Sequence, residues 1–328
     1  RKKKEMSSIF TISILQSALE LGFIYSLVVL ALFISFTILN IADLSTDGCF
    51  TLGCAVAATV TLSGHPLLAL LCAVGAGVLS GFITAFLQTR MGVESILAGI
   101  IVNTGLYTIN IAVMGFSSNV NLFKCDTVFT VVRDFIEKHM SQSMFTFLVT
   151  DGWYRLIEVA VIVVIIGVIL SIFLGTRLGL SIRATGDNAA MVKASSINPK
   201  YTITVGLCVS SALTALSGGL LAQYQKSCDI NLGTGMVTIA LASLLIGEPI
   251  LGKGTLFRRI LGVILGSCLY RFIVAVAIRV NVPAECLKLV SALIVAVAIA
   301  FPYLKKNAVF AKQKYSKERI RQRKGGAC

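Results

Sequence analysis

Long apolar runs without a single charged residue constrain this chain more than any other feature. Two of them are Val159 to Thr176 and Tyr201 to Gln225. A run of about 18 or more such residues is typical of a membrane-spanning helix. The runs are continuous rather than short and alternating, which excludes a membrane β-barrel, and helices satisfy their own backbone hydrogen bonds in lipid. The fold class predicted is therefore all-α, a polytopic transmembrane helical bundle.

The composition agrees with a membrane protein. Hydrophobic residues make up 56% of the chain, charged residues only 13%, and the mean hydropathy is +0.88. Soluble domains carry about 25% charged residues. We predict eight to nine hydrophobic segments, one of them broken or re-entrant. They are Ile9 to Leu39, Phe50 to Leu62, Pro66 to Thr89, Ser95 to Phe116, Val159 to Thr176, Tyr201 to Gln225, Ile230 to Gly247, Arg258 to Ile278 and Glu285 to Phe301.

The positive charge is grouped between these segments and at the chain ends. A formal net charge of +14 is compatible with nucleic-acid binding, but most of the 29 lysines and arginines lie in five short stretches. This distribution follows the positive-inside rule, so the stretches are predicted to face the cytoplasm and the lipid headgroups, not a nucleic acid. They are Arg1 to Lys4, Arg90, Arg177 to Lys200, Lys253 to Arg259 and Lys305 to Lys324.

Both chain ends are then predicted to be cytoplasmic. Nine complete crossings do not allow this, because an odd number of crossings places the two ends on opposite sides of the membrane. Either the first hydrophobic region breaks at ADLSTDG, residues 42–48, or Phe50 to Leu62 is re-entrant. Non-helical backbone at membrane depth is tolerated only where it lines a cavity or packs within protein. One transmembrane domain is predicted over 1–304 and a basic cytoplasmic tail over 305–328.

An outer loop is predicted at 117–153. Within it Val128, Val132, Phe135 and Ile136 recur at helical spacing. One apolar face of this kind is typical of an amphipathic helix, so we predict a short helix on the outer surface.

A polar island, Gly179 to Pro199, separates two of the apolar runs. Gly186 can take a turn conformation that other residues avoid. Asp187 or Asn188 can cap the start of a helix, and the proline that ends the island cannot continue a helix interior. These residues predict a short helix from Ala189 to Ser196 at one membrane face. It is either a docking element for a partner or an ordinary loop.

Two further stretches are distinctive: LGFIYSLVVLALFISFTILNIADLSTDG (residues 21–48) and IGEPILGKGTLFRRILGVILGSCLYRFIVAVAIR (residues 246–279). With the polar island, they resemble the permease subunits of bacterial ABC importers. The likeness is to the branched-chain amino acid and ribose permease class, above all to the tryptophan/tyrosine transport permeases.

This resemblance implies a permease in the bacterial cytoplasmic membrane that imports small organic solutes, with aromatic amino acids favoured. It implies a homodimer, a cytoplasmic ABC ATPase and an extracytoplasmic solute-binding protein as partners. The chain itself is then not an enzyme and binds no cofactor, because ATP and Mg²⁺ belong to the partner ATPase. The residues that couple to this ATPase are implied to be Arg183, Ala184, Gly186, Asp187, Asn188, Met191, Val192, Ala194 and Ser195.

Polar residues inside the hydrophobic segments are candidates for the translocation path. Arg271 interrupts one segment at a cost of about 2.5–3.5 kcal/mol. It lines a watery route, pairs with Asp43, Asp47 or Glu248, or reaches back to the membrane surface. The cluster in ADLSTDG either selects solute or starts a helix, with Ser45 or Thr46 as its cap. The candidates are Asp43, Ser45, Thr46, Asp47, Asn103 and Arg271.

Several kinds of site are not expected. GEPILGKG, residues 247–254, nearly matches a P-loop, but Gly254 stands where a Ser or Thr binds magnesium. We interpret it as a second cytoplasmic turn. The cysteines form no C-x-x-C pair and His65 lies far from His139, so neither a metal site nor a catalytic constellation is predicted. A stand-alone secondary transporter or channel is the alternative, although few ionisable residues in the spans are available for ion coupling.

Overall fold

The computed structural model describes residues 12–139, 152–252 and 254–279, together with single helical positions at 289, 292, 293, 296 and 300. The described elements are α1 (Ile12–Leu32), a π-helical turn (Phe33–Ile38), α2 (Thr46–Leu62), α3 (Pro66–Thr89), α4 (Ser95–Val113), β1 (Asn119–Asn121), α5 (Val128–His139), α6 (Trp153–Gly175), α7 (Arg177–Asp187), α8 (Ala189–Ala194), α9 (Pro199–Gln225), β2 (Ser227–Asp229), α10 (Met236–Leu251) and α11 (Leu256–Arg279).

The predicted all-α membrane bundle is confirmed. Six helices in the described part of the chain are long and apolar enough to cross a membrane: α1 with its π-helical turn, α3, α4, α6, α9 and α11. Helices α2 and α10 are apolar but shorter. The ninth predicted segment, Glu285 to Phe301, lies almost wholly outside the described residues, so the exact number of segments stays a prediction.

Helices α1 and α9 form the centre of the bundle. Serines on α9 and α11 donate to the carbonyl oxygens of α1: Ser210 Oγ to Ala31 at 2.8 Å, Ser217 Oγ to Ile24 at 2.7 Å and Ser267 Oγ to Gly22 at 2.7 Å. Hydrogen bonds and close packing through small residues are what hold helices together in lipid, where apolar burial gives little driving force.

The two ends of the bundle can be told apart by their contacts. The end that carries the polar island, called the island end below, holds the last residues of the π-helical turn, because Gly186 packs on the Ile38 carbonyl. At the opposite end, called the far end, the Tyr224 hydroxyl donates to Glu20 Oε2 at 2.6 Å. Helix α1 therefore begins at the far end, and every described crossing alternates in direction from there.

This direction bears on the parity argument made from the sequence. Alternation holds from Ile12 onward, so no re-entrant segment is needed to restore it. The predicted break is nevertheless present, since residues 39–45 are not helical. They rise from the island end into the bundle, and α2 completes that crossing. Residues 1–11 and those after 300 lie outside the described residues, so the side on which each chain end lies stays a prediction.

The described part of the loop predicted at 117–153 contains β1 and α5. Strands β1 and β2 pair antiparallel at the far end, with Asn119 opposite Asp229. The predicted amphipathic helix is α5, whose Val128 is buried. The Val128 N–H donates to Gln223 Oε1 of α9 at 2.9 Å, which ties the loop to the bundle. Phe135, on the same helix, is 62% exposed. Residues 140–151 of the loop lie outside the described residues.

Helix α10 also differs from its prediction. It begins at Met236 rather than Ile230 and continues through Pro249 to Leu251. The start is late because residues 230–235 descend into the bundle as non-helical chain. Near the end of α10, Gly247 has no side chain and packs on the backbone of α11 at Gly262. The first residues of GEPILGKG are therefore helical and form neither the predicted turn nor a phosphate-binding loop.

Candidate functional site

Two interrupted crossings meet inside the bundle. Helix α2 follows the non-helical residues 39–45, and α10 follows the non-helical residues 230–235. A helix that starts within the bundle leaves backbone N–H groups without an intrahelical acceptor, and these need another partner. Membrane transporters commonly bind solutes where such discontinuous helices begin.

The carboxylate of Asp47 satisfies the start of α10. Its Oδ2 accepts from the Gly235 N–H and its Oδ1 from the Val237 N–H, both at 2.9 Å. The neighbouring Thr51 Oγ accepts from the Gly233 N–H at 3.2 Å. The prediction placed Asp47 in the first turn of α2, which is correct, but its hydrogen bonds go to a different helix.

A polar groove of about 310 Å³ opens at this meeting point. Its volume lies at the lower limit of small-molecule sites, about 300–1,000 Å³. Asp47 supplies the one charged side chain of the lining, and Asn103 is the second predicted residue that reaches it. The polar residues that line the groove are Asp47, Thr51, Asn103, Thr104, Tyr107, Asn110, Asn231 and Thr234.

Asn110 shows where the groove has unused hydrogen-bonding capacity. Its Nδ2 donates to the Gly48 carbonyl at 3.1 Å. Its Oδ1 is buried and has no hydrogen-bond partner among the described residues. Buried polar atoms are nearly always paired, so an unpaired acceptor on the groove wall indicates a place for a guest donor or a water molecule.

The other three candidates of the ADLSTDG cluster lie behind the groove rather than on it. Asp43, Ser45 and Thr46 are buried. Asp43 Oδ1 accepts from the Ser45 N–H at 2.9 Å and from its hydroxyl at 2.6 Å, and Thr46 Oγ donates to the Asp43 carbonyl at 3.1 Å. Ser45 takes the predicted N-cap position of α2 but makes no side-chain cap hydrogen bond, because its hydroxyl, like that of Thr46, is engaged by Asp43. Their positions favour a structural role in holding the non-helical stretch.

Arg271 lies in a separate place. It lines a cavity of about 370 Å³ between α1 and α11, and its guanidinium carbon is 3.5 Å from the centre of the Tyr25 ring. The predicted acidic partners are occupied elsewhere: Asp43 by Ser45, Asp47 by the start of α10, and Glu248 by Arg259 at 3.1 Å. An aromatic face is thus its nearest described partner, a cation–π contact that partly offsets burial of the charge.

Sequence reasoning missed most of the groove. The residues of the groove that were not among the candidates are Thr51, Thr104, Tyr107, Asn110, Asn231 and Thr234. A signal was present in the spacing: residues 103, 107 and 110 recur at intervals of four and three, and so lie on one helical face. Residues 231 and 234 carry no such signal, because their position depends on how far the chain descends before α10 begins.

The polar island folds into two short helices. Helix α8 is capped as predicted, with Asn188 Oδ1 accepting from the Ala190 N–H at 3.0 Å and the Met191 N–H at 3.1 Å. Gly186 is not the predicted turn: it is helical, in α7, and its missing side chain allows contact with the Ile38 carbonyl. Helix α8 ends at Ala194 rather than Ser196, because Ser196 takes a left-handed backbone conformation with φ of 62°. Pro199 begins α9, where a missing N–H is harmless.

Exposure divides the predicted coupling residues into an anchor and a presented face. Val192 is only 1% exposed and holds α8 against the bundle, whereas its neighbour Met191 is 57% exposed. Ala184 and Gly186 are partly covered. The remaining predicted coupling residues are exposed: Arg183, Asp187, Asn188, Ala194 and Ser195.

Comparisons with known proteins agree with this architecture. A profile of the family described as "Branched-chain amino acid transport system / permease component" matches residues 14–300. A tyrosine transport system permease protein of Clostridioides difficile is 31% identical over 286 residues, which cover 87% of this chain and 90% of that protein. An uncharacterized protein of Rickettsia prowazekii is 28% identical over 294 residues, covering 88% and 97%. No solved structure matches the chain significantly.

Proposed function

This chain belongs to the family of branched-chain amino acid transport permease components, and on that premise we propose that it is the membrane permease subunit of an ATP-driven amino-acid importer. The observation that carries the proposal is the polar groove with its single carboxylate, Asp47, where two interrupted helices meet. Aromatic amino acids are the favoured solutes, in agreement with the printed name of the clostridial relative.

The groove has the chemistry to hold an amino acid. The solute ammonium group binds Asp47, whose carboxylate accepts backbone N–H groups at the start of α10 and, with two lone pairs on each oxygen, keeps capacity for a further donor. Amide and hydroxyl groups of Asn103 and Thr104 bind the solute carboxylate. Tyr107 lies on the same helical face and offers an aromatic surface to the solute side chain.

Energy comes from a separate ATPase in this proposal. Two copies of the permease form the translocation path, a cytoplasmic ABC ATPase binds ATP and Mg²⁺, and an extracytoplasmic binding protein delivers solute. The polar island is the ATPase contact, because Asn188 caps α8 and Val192 packs it against the bundle while Met191 projects outward. Movement of α8 is passed to α1 through the contact of Gly186 with Ile38.

The ATPase contact can be tested at Met191. We expect Met191→Glu to reduce co-purification of the ATPase about 10-fold or more, since exposed anchors at the centre of an interface contribute about 2 kcal/mol. The matched control is Phe123→Glu, the same kind of change at an exposed apolar residue of the far end. Equal co-purification of both variants would contradict the assignment of the island. Solute uptake by liposomes that contain this chain alone would favour a stand-alone transporter or channel.

The proposal places the chain in the bacterial cytoplasmic membrane with the island end inside the cell. In a cysteine-free background, we expect Ser195→Cys to react with a membrane-impermeant maleimide only in inverted vesicles, and Ser63→Cys only in intact cells, because both positions are exposed at opposite ends. The reverse pattern would overturn the orientation. In this orientation Ile12, where the described part of α1 begins, lies at the outer end of the bundle. The cytoplasmic location of both chain ends stays a prediction.

A further inference from the structure

A wedge-shaped cavity opens between α3 and α9 at the island end. The two helices touch closely at one level, where a side chain on Gly81 would lie 2.7 Å from the Leu207 carbonyl oxygen and one on Gly77 would lie 2.5 Å from that of Ser211. Toward the island end they separate and leave a space of about 620 Å³, called the wedge below. The wedge forms because glycines let α3 and α9 approach closely at their crossing point, whereas the larger side chains nearer the island end hold the two helices apart.

The lining of the wedge changes from aromatic to basic along its depth. Phe82 and Phe86 of α3 and Arg90, which caps its C-terminus, follow one another at intervals of four residues and therefore share one face. At a rise of 1.5 Å per residue, Phe86 lies about 6 Å and Phe82 about 12 Å deeper than Arg90. On α9, Lys200 and Tyr201 face them from the other wall.

The two cations of the wedge lack a salt-bridge partner among the described residues. Arg90 and Lys200 are exposed, and the wedge lining contains no carboxylate. The aromatic side chains are also available, with Phe82 51%, Phe86 46% and Tyr201 57% exposed. The wedge thus combines an anion site at its mouth with an apolar slot beneath it.

We propose that the wedge binds an anionic phospholipid. The phosphate lies between Arg90 and Lys200, and one acyl chain runs along Phe86 and Phe82. Depth decides in favour of a lipid over a protein partner: the slot extends about 12 Å below the cations, into the span of α3, where an acyl chain reaches and a water-soluble subunit does not. Basic pockets between transmembrane helices near the membrane surface bind anionic headgroups by this combination of charges.

This lipid site does not depend on the transported solute, and it can be tested on the purified permease. We expect native mass spectrometry to show retained phosphatidylglycerol in preference to phosphatidylcholine. The double variant Arg90→Gln, Lys200→Gln is expected to weaken phosphatidylglycerol binding about 30-fold. Each basic side chain near an anionic lipid contributes ~1 kcal/mol, so the loss of two corresponds to ~2 kcal/mol. The matched control is Arg177→Gln, Arg258→Gln, which removes two exposed cations from the same end outside the wedge and leaves binding unchanged.

A second variant separates the lipid from a free phosphate and from a folding defect. We expect Phe86→Ala to weaken the binding of long-chain phosphatidylglycerol. The binding of glycerol phosphate, which has no acyl chain, should be as weak for this variant as for the parent protein. Unfolding temperatures in zwitterionic detergent should match the parent for both variants. The proposal is overturned if the parent protein binds both lipids equally, if glycerol phosphate binds as tightly as the lipid, or if the double variant keeps its lipid and loses the ATPase instead.

Discussion

Replacement of Gly53 by alanine is expected to destabilise the folded bundle by about 3 kcal/mol or more, roughly a 100-fold change in the folding equilibrium. Gly53 lies on α2 against the backbone of α9, where any side chain would overlap the Ala215 carbonyl group. The opposing contact has the same form, since Gly218 of α9 packs on the Phe50 carbonyl of α2. Both obstacles are backbone atoms of long helices, so no side-chain rotation relieves the overlap.

A matched control is available on α3. Gly75 is also helical, but a side chain added there meets no atom within 4 Å. Because glycine in a helix interior is less favourable than alanine by about 0.5–1 kcal/mol, Gly75→Ala is expected to be neutral or slightly stabilising. Thermal unfolding of the purified variants in detergent measures both. Similar unfolding temperatures for the Gly53 and Gly75 variants would show that α2 and α9 are not held as closely as described.

These contacts also show what the sequence could and could not predict. Uncharged runs such as Tyr201 to Gln225 predicted helices because length and hydrophobicity alone suffice to span lipid. The break near Asp43 was predictable because a polar cluster interrupts apolar sequence. Which glycines matter was not, since Gly53 and Gly75 have similar local surroundings and differ only in the helix that packs on them.

The groove was hidden for a related reason. Asp47 and Gly235 are separated by 188 positions in the chain, and nothing local to either indicates the other. The sequence therefore placed Asp47 with its neighbours Ser45 and Thr46, whereas the fold groups it with Asn103 and the start of α10. Arg271 was grouped with the other translocation-path candidates because a charged residue is rare within a membrane span. Its position between α1 and α11 depends on helix packing, which the sequence does not show.

The groove assignment predicts that Asp47→Asn strongly reduces solute uptake while the protein stays folded. Asparagine keeps one side-chain oxygen for the start of α10, where the carboxylate now accepts from Gly235 and Val237. It removes the charge that binds the solute ammonium group in our proposal. Breaking a partly buried charge pair costs about 3 kcal/mol, so uptake at low solute concentration should fall about 100-fold. Reconstituted transport with the ATPase and binding protein measures this, and unfolding temperature shows that the fold is intact.

The same substitution four residues earlier provides the control. Asp43 is buried and accepts hydrogen bonds from the N–H and hydroxyl of Ser45, but it does not line the groove. Asp43→Asn retains an acceptor for these donors, so we expect a loss of stability without a large loss of uptake per folded molecule. Asp47→Ala should lose both, because it also leaves the N–H groups of Gly235 and Val237 unpaired, at about 1–3 kcal/mol each. If Asp47→Asn transports at the parental rate while Asp43→Asn does not, the solute path runs on the other side of ADLSTDG and the groove is structural.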